Sequence, residues 1–148
     1  MRLRALALAC VAGWVGIAAF FSLTVAPLVF RTIDRAAAGH AVSAVLPRYY
    51  AWGLALTAAA LVAHGVLAAR GDGRLRHTVA AVLCAAMVAA LAWAWLVVLP
   101  EAEAARRARS DTAFAHAHRT AVQLNGLTLT AGVAVLLLDA FRRGRRGP

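Results

Sequence analysis

The sequence predicts an all-α fold: a four-transmembrane-helix bundle with a short interfacial helix between the first and second helices. Three observations carry this. The 148 residues are 63% hydrophobic with a mean hydropathy of +0.73, against roughly 45–50% apolar content in a soluble domain. The excess is gathered into four runs. Each is long enough for a hydrocarbon core of about 30 Å, which takes about 20 helical residues to cross. Arginines stand at the ends of these runs rather than inside them. A span must satisfy its own backbone hydrogen bonds, which makes helices the default; the short alternating segments of a β-barrel are missing. We read residues 1–148 as a single integral membrane domain with spans at about 5–30, 49–69, 78–99 and 120–141.

The formal net charge is +10, and all 16 basic residues are arginine. Their placement at helix ends points to membrane topology and lipid headgroups and away from nucleic acid. The two cysteines, Cys10 and Cys84, lie inside apolar runs and form neither a disulfide framework nor a CxxC motif. Arg2 and Arg4 resemble a signal n-region, but the apolar run continues from Ala5 to Phe30, too long for a cleaved h-region. It reads as an uncleaved span.

In chain order, the first helix is expected over Ala5 to Phe30, kinked or ended by Pro27, which lacks a backbone donor. Arg31 to Leu46 is too polar to span. Ile33, Ala37, Val42, Val45 and Leu46 line one side of a short interfacial helix, interrupted at Gly39. The second helix opens at Pro47, where proline suits the first turn, with Tyr49, Tyr50 and Trp52 as an aromatic belt. Arg70 to His77 is a basic hairpin with two glycines. The third helix runs from Thr78 to Leu99 and stops before Pro100, with Trp93 and Trp95 at its far interface. Glu101 to Arg109, acids first and bases later, forms a short emerging helix. The fourth helix runs from Thr120 to Phe141, and residues 142–148 are a basic tail. Four-residue rows of small side chains (Ala5, Ala9, Gly13; Ala51, Ala55, Ala59, Ala63; Ala81, Ala85, Ala89) permit close helix contact within the bundle or in a homo-oligomer. No internal repeat is evident. Nine arginines lie on the side of the termini and seven on the other, which places both termini in the cytoplasm of a cell inner (plasma) membrane protein.

Polar side chains inside spans are costly and face the bundle. On the fourth helix, His118, Asn125 and Thr128 share one stripe, suited either to interhelical hydrogen bonds or to lining a small-ligand pocket. His64 is the histidine deepest in a span. With Cys10, Cys84 and Met87 at similar depth it offers donors suited to Cu(I). His40, His116 and His118, near Glu101 and Glu103, form a second and looser metal candidate such as zinc. Haem would need two histidines facing each other at one depth, and His64 has only His77 near its side. No hydrolase elbow, P-loop, dinucleotide fingerprint or HExxH motif is present, and no catalytic residue is assigned.

Ala26-Pro27 followed by Phe30, Ala38-Gly39, Leu46-Pro47 with Tyr49-Tyr50, Leu99-Pro100, and Phe114, His118 and Asn125 occur in an order that resembles the transmembrane protein 205-like family. Pro47 stands where that family often has an aromatic residue, and Ala121 replaces a frequent small hydroxyl residue. The resemblance covers roughly Ala5 to Phe141. It implies a four-helix membrane bundle without an established activity, and directs attention to Pro27, Gly39, His118 and Asn125 as a shallow polar pocket capped by Arg31–Leu46. The functional expectation is a small membrane-embedded binding or transport-associated module surrounded by lipid. The alternatives are a metal- or haem-binding redox membrane protein and a structural membrane subunit.

Overall fold

The four apolar runs form four long helices, and Pro27, Pro47 and Pro100 end none of them. The structure is a computed structural model that describes residues 2–71 and 73–140; the basic tail and the expected end of the last helix at Phe141 lie outside the described residues. The helices are α1 (Arg2–Thr32), α2 (Arg35–Ala69), α3 (Arg74–Arg107) and α4 (Asp111–Ala140), each long and apolar enough to cross a membrane. We call the end holding the start of α1, the α2–α3 turn and the end of α4 the terminal face, and the opposite end the distal face.

Local chemistry explains the boundaries. Asp34 accepts hydrogen bonds from the backbone N–H groups of Ala36 and Ala37 at 2.9 and 3.1 Å, which caps α2. From that cap α2 continues through Pro47 for 35 residues. The expected interfacial helix is therefore corrected: Arg35 to Leu46 are the first turns of α2, because the cap lies at Asp34 and not at Pro47. Pro47 leaves one carbonyl, that of Ser43, without its usual partner, and the helix tolerates this at the distal end.

Pro27 and Pro100 are accommodated differently. Each follows a single π-helical turn, Phe21–Val25 in α1 and Ala94–Val98 in α3. The amide of Ala26 bonds to the carbonyl of Phe21, and that of Leu99 to Ala94. The wider turn re-aims the carbonyls that a proline ring would otherwise strike. Thus α3 does not stop before Pro100, and Glu101 to Arg107 continue it.

The helices form a four-cornered bundle. Both α1 and α3 pack on α2 and α4, while α1 and α3 sit on one diagonal and α2 and α4 on the other. The centre holds Trp14, Met87 and Leu91, with Tyr49, Tyr50, Ala18 and Ala131 around them. Gly53 sits against the Trp14 ring so closely that an added Cβ would lie 2.6 Å from it. The expected small-residue rows face mostly outward: Ala5, Ala9, Ala51, Ala55, Ala59, Ala85 and Ala89 are exposed. Large apolar side chains such as Leu23, Val62, Val82 and Leu96 also point outward, toward lipid.

The structure reveals a repeat that the sequence reading did not find. Buried Ala7, Val11, Trp14 and Ala18 of α1 correspond, at one constant offset, to buried Ala80, Cys84, Met87 and Leu91 of α3. Buried Gly53, Thr57, Ala60 and His64 of α2 correspond, at another, to Thr128, Gly132, Val135 and Asp139 of α4. The π turn and the proline two residues beyond it recur in α1 and α3. The α1–α2 and α3–α4 pairs are two similar halves about a pseudo-twofold axis along the bundle.

Candidate functional site

At the distal face, Arg106 near the end of α3 reaches across to the first turns of α2. Its Nη1 donates to Ser43 Oγ at 2.7 Å and to the Gly39 carbonyl at 3.4 Å. Its guanidinium lies over the Phe114 ring, 5.2 Å from the centroid. Phe114 in turn stacks on His118, with centroids 6.1 Å apart and planes at 13°. These groups border a pocket of about 70 Å³, whose apolar walls include Leu46, Val98, Leu99 and Ala121. Planar arginine held on an aromatic face presents its remaining N–H groups in a fixed fork suited to carboxylate or phosphate. Nε and Nη2 of Arg106 make no hydrogen bond among the described residues. Glu103 also lines this pocket, with its carboxylate 3.9 Å from exposed Arg107.

Deeper in the bundle, Asn125 joins three helices. Its Oδ1 accepts from the Tyr49 hydroxyl at 2.5 Å, and its Nδ2 donates to Ser22 Oγ at 2.9 Å. Thr128 donates to the Asn125 backbone carbonyl at 2.9 Å. Ser22 belongs to the π turn of α1, which aims its hydroxyl inward.

The expected pocket residues therefore separate. His118 lines the distal pocket, whereas Gly39 does not and its carbonyl only accepts from Arg106 beside it. Asn125 and Thr128 form the deeper tie, with Asn125 half-buried and Thr128 buried. Pro27 is exposed on α1, two residues beyond the π turn. Arg106, Ser43 and Ser22 were missed. Each carries a signal only in three dimensions, since isolated hydroxyls and terminal arginines are common at helix ends.

A third polar group closes the terminal face. Arg4 of α1 grips Asp139 of α4 with two hydrogen bonds of 2.7 and 2.6 Å. Arg76 of α3 lies 3.3 Å from the same carboxylate. Arg76 Nη2 also contacts His77 Nε2 at 2.9 Å, and His77 Nδ1 meets His64 Nδ1 at 3.0 Å. His64, His77 and Asp139 are all buried. A guanidinium only donates, so Arg76 is the donor in its contact with His77 Nε2. His64 Nε2 is buried without a partner among the described residues. The two halves of the bundle are closed by equivalent bonds, since Arg4 corresponds to His77 and Asp139 to His64.

This arrangement bears on the expected metal and haem donors. His64 faces His77, with their Nδ1 atoms 3.0 Å apart. Cys10 and Cys84 pack in one apolar cluster with Val11, Ala60, Ala80 and Val135. His40, His116 and His118 are exposed at the distal face. Among the described residues, no three His, Cys, Asp or Glu side chains gather as a metal-holding group.

Fold and polar ties together define a multi-pass membrane bundle of four helices with a bilayer environment. The chain belongs to the family described as a domain of unknown function, DUF4149, whose model matches residues 9–111. That match takes in α1 to α3 and ends at the first residue of α4. No curated protein matches the chain, and no solved structure does.

Proposed function

We propose that this protein is a small membrane-embedded binding module whose site is the distal pocket, and that its ligand carries an acidic group beside an apolar portion. The observation that carries this reading is Arg106. It is held by Ser43 and Phe114, with Nε and Nη2 directed to no described residue, at the rim of a pocket walled by Leu46, Val98 and Leu99. A guanidinium so oriented recognises a carboxylate or phosphate in two-point fashion. At about 70 Å³ the pocket is small, so the acidic group would enter it and the apolar portion would lie against Leu46, Val98 and Leu99. Parallel halves about an axis along the membrane normal recur in transporters, which supports the transport-associated side of the reading. The resemblance to the transmembrane protein 205-like family agrees with the four-helix bundle and adds no activity. On the arginine balance we place both termini in the cytoplasm and the chain in the inner (plasma) membrane. The outward rows of Ala51, Ala55 and Ala59 are surfaces on which a homo-oligomer would pack.

Thermal unfolding in mild detergent tests the site, with dihexanoyl phosphatidic acid, dihexanoyl phosphatidylcholine and inorganic phosphate as probes. The acidic lipid is expected to raise the Tm saturably in the wild type and to leave that of Arg106→Gln unchanged. Phosphatidylcholine is expected to be inert. An equal shift in both proteins, or none in either, overturns the reading. A shift with inorganic phosphate alone would identify the head group as sufficient.

A further inference from the structure

We infer that the ligand of the distal pocket is a bilayer lipid, and that one of its acyl chains lies in a lateral cleft between the distal third of α1 and α4. The inference rests on the acidic-ligand reading above and adds the route by which such a ligand enters. The repeat supplies the comparison that reveals the cleft. In α3, Ala94, Val98 and Ala105 are buried, and both Ala94–Val98 and Leu99–Arg107 pack on α4. Their counterparts in α1, at the offset that aligns the two π turns, are Phe21, Val25 and Thr32, and none of these is buried. The whole of Phe21–Thr32 has no buried residue. None of its Cα atoms comes within 8 Å of a Cα in α4. Helices in contact have axes about 8–10 Å apart and Cα atoms closer than that, so α1 stands off from α4 here. Two contacts span the distance. Phe21 rests on Tyr49, with ring centroids 4.9 Å apart, and Ser22 Oγ accepts from Asn125 Nδ2 at 2.9 Å. The end of α1 packs on α2 instead, beside the Asp34 cap. The cleft is thus on the α4 side, with Ser22, Asn125 and Tyr49 as its floor.

Pocket and cleft adjoin along one face of α4. Phe114, His118 and Ala121 line the pocket, and Asn125, one turn beyond Ala121, is at the floor of the cleft. On α2, Tyr50 lines the pocket and Tyr49 next to it belongs to the floor. The depths suit a lipid. His118 lies roughly 30 Å along α4 from Asp139 at 1.5 Å per residue, which is one hydrocarbon thickness. Arg106 and His118 therefore stand at headgroup level, and Asn125 is about 10 Å deeper, among acyl chains. The α1 wall of the cleft is Val25 and Val29, both half-buried and both following Ser22 on the inward side. A cleft that opens sideways from a bundle surrounded by lipid offers a chain the same apolar surroundings as the bilayer. The chain alone selects no particular lipid. The head group does, because the Arg106 fork pairs with a phosphate monoester or carboxylate. An acidic lipid is then held at both ends, while its second chain stays in the bilayer.

Photolabelling of the full chain in nanodiscs tests this. Phosphatidic acid and phosphatidylcholine would carry the same diazirine-bearing acyl chain, and mass spectrometry would locate the labelled residues. Phosphatidic acid is expected to label Val25, Val29 and Ala121 several-fold more than phosphatidylcholine does. Both lipids are expected to label the outward Leu23 and Leu96 equally. Equal labelling of the cleft by the two lipids, or an excess confined to outward side chains, overturns the inference. This comparison uses the unmodified protein, so it holds even where a variant fails to fold. In Arg106→Gln the excess on the cleft is expected to be lost. An excess that persists in that variant keeps the cleft and overturns Arg106 as the head-group anchor. An Arg106-dependent rise in Tm with no label in the cleft keeps the pocket and overturns the cleft.

Discussion

Gly53 shows how much a single position can determine. It is buried on α2, and the six-membered ring of Trp14 comes so close that a Cβ would lie 2.6 Å from Cζ3, 2.8 Å from Cη2 and 3.1 Å from Leu91. Trp14 is itself fully buried and packed on Tyr49, with centroids 5.0 Å apart, so it has no room to withdraw. Overpacking of this kind costs about 1–3 kcal/mol. Gly53→Ala is expected to lower the unfolding free energy in detergent by that amount, whereas Gly65→Ala, with open space around it, is not. The glycine was visible in the sequence as one of several small residues. Its partner was not, since Trp14 and Gly53 meet only when α1 and α2 pack.

At the scale of the element, capping and proline accommodation decide where helices begin and continue. Asp34 satisfies two of the free amides at the start of α2. Asp34→Ala is expected to destabilise the protein by about 1 kcal/mol, and Asp34→Asn to retain most of that, because both side chains supply a capping oxygen. Loss of amide protection confined to Ala36, Ala37 and the following turn, measured by hydrogen exchange, would locate the effect. The four spans were legible because apolar run length and bilayer thickness are directly comparable. The boundaries at Pro47 and Pro100 were misread for one reason: a proline forbids one hydrogen bond, but a neighbouring π turn or a single unpaired carbonyl absorbs the loss.

Across the whole molecule, polar ties hold the four corners at three depths: Arg106 with Ser43, Asn125 with Tyr49 and Ser22, and the terminal-face network around Asp139. The last is the most buried and carries charge. Removing one partner of a buried pair costs about 3–5 kcal/mol, since the other is left uncompensated. Asp139→Asn is expected to approach that loss in a chemical or thermal unfolding experiment, discounted because Arg4 is about a quarter exposed. Glu103→Gln, at the exposed Glu103–Arg107 pair, is expected to change stability by less than about 0.5 kcal/mol. Equal effects from the two substitutions would show that the terminal face is not a structural closure.

The sequence alone determined the class of this protein: four apolar helices, a bilayer environment, and the polar stripe of His118, Asn125 and Thr128. These follow from local quantities, the length of an apolar run and the period of a helix. Only the tertiary structure decided which polar groups meet. His118 and Asn125, one stripe in sequence, serve a pocket and a separate tie. His64, Asp139, Arg4 and Arg76, scattered over the chain, close one face. The pseudo-twofold repeat was hidden for the same reason. In lipid, almost any apolar residue satisfies a buried position, so the two halves keep matching burial while their side chains diverge, as Trp14 and Met87 or Asp139 and His64 do.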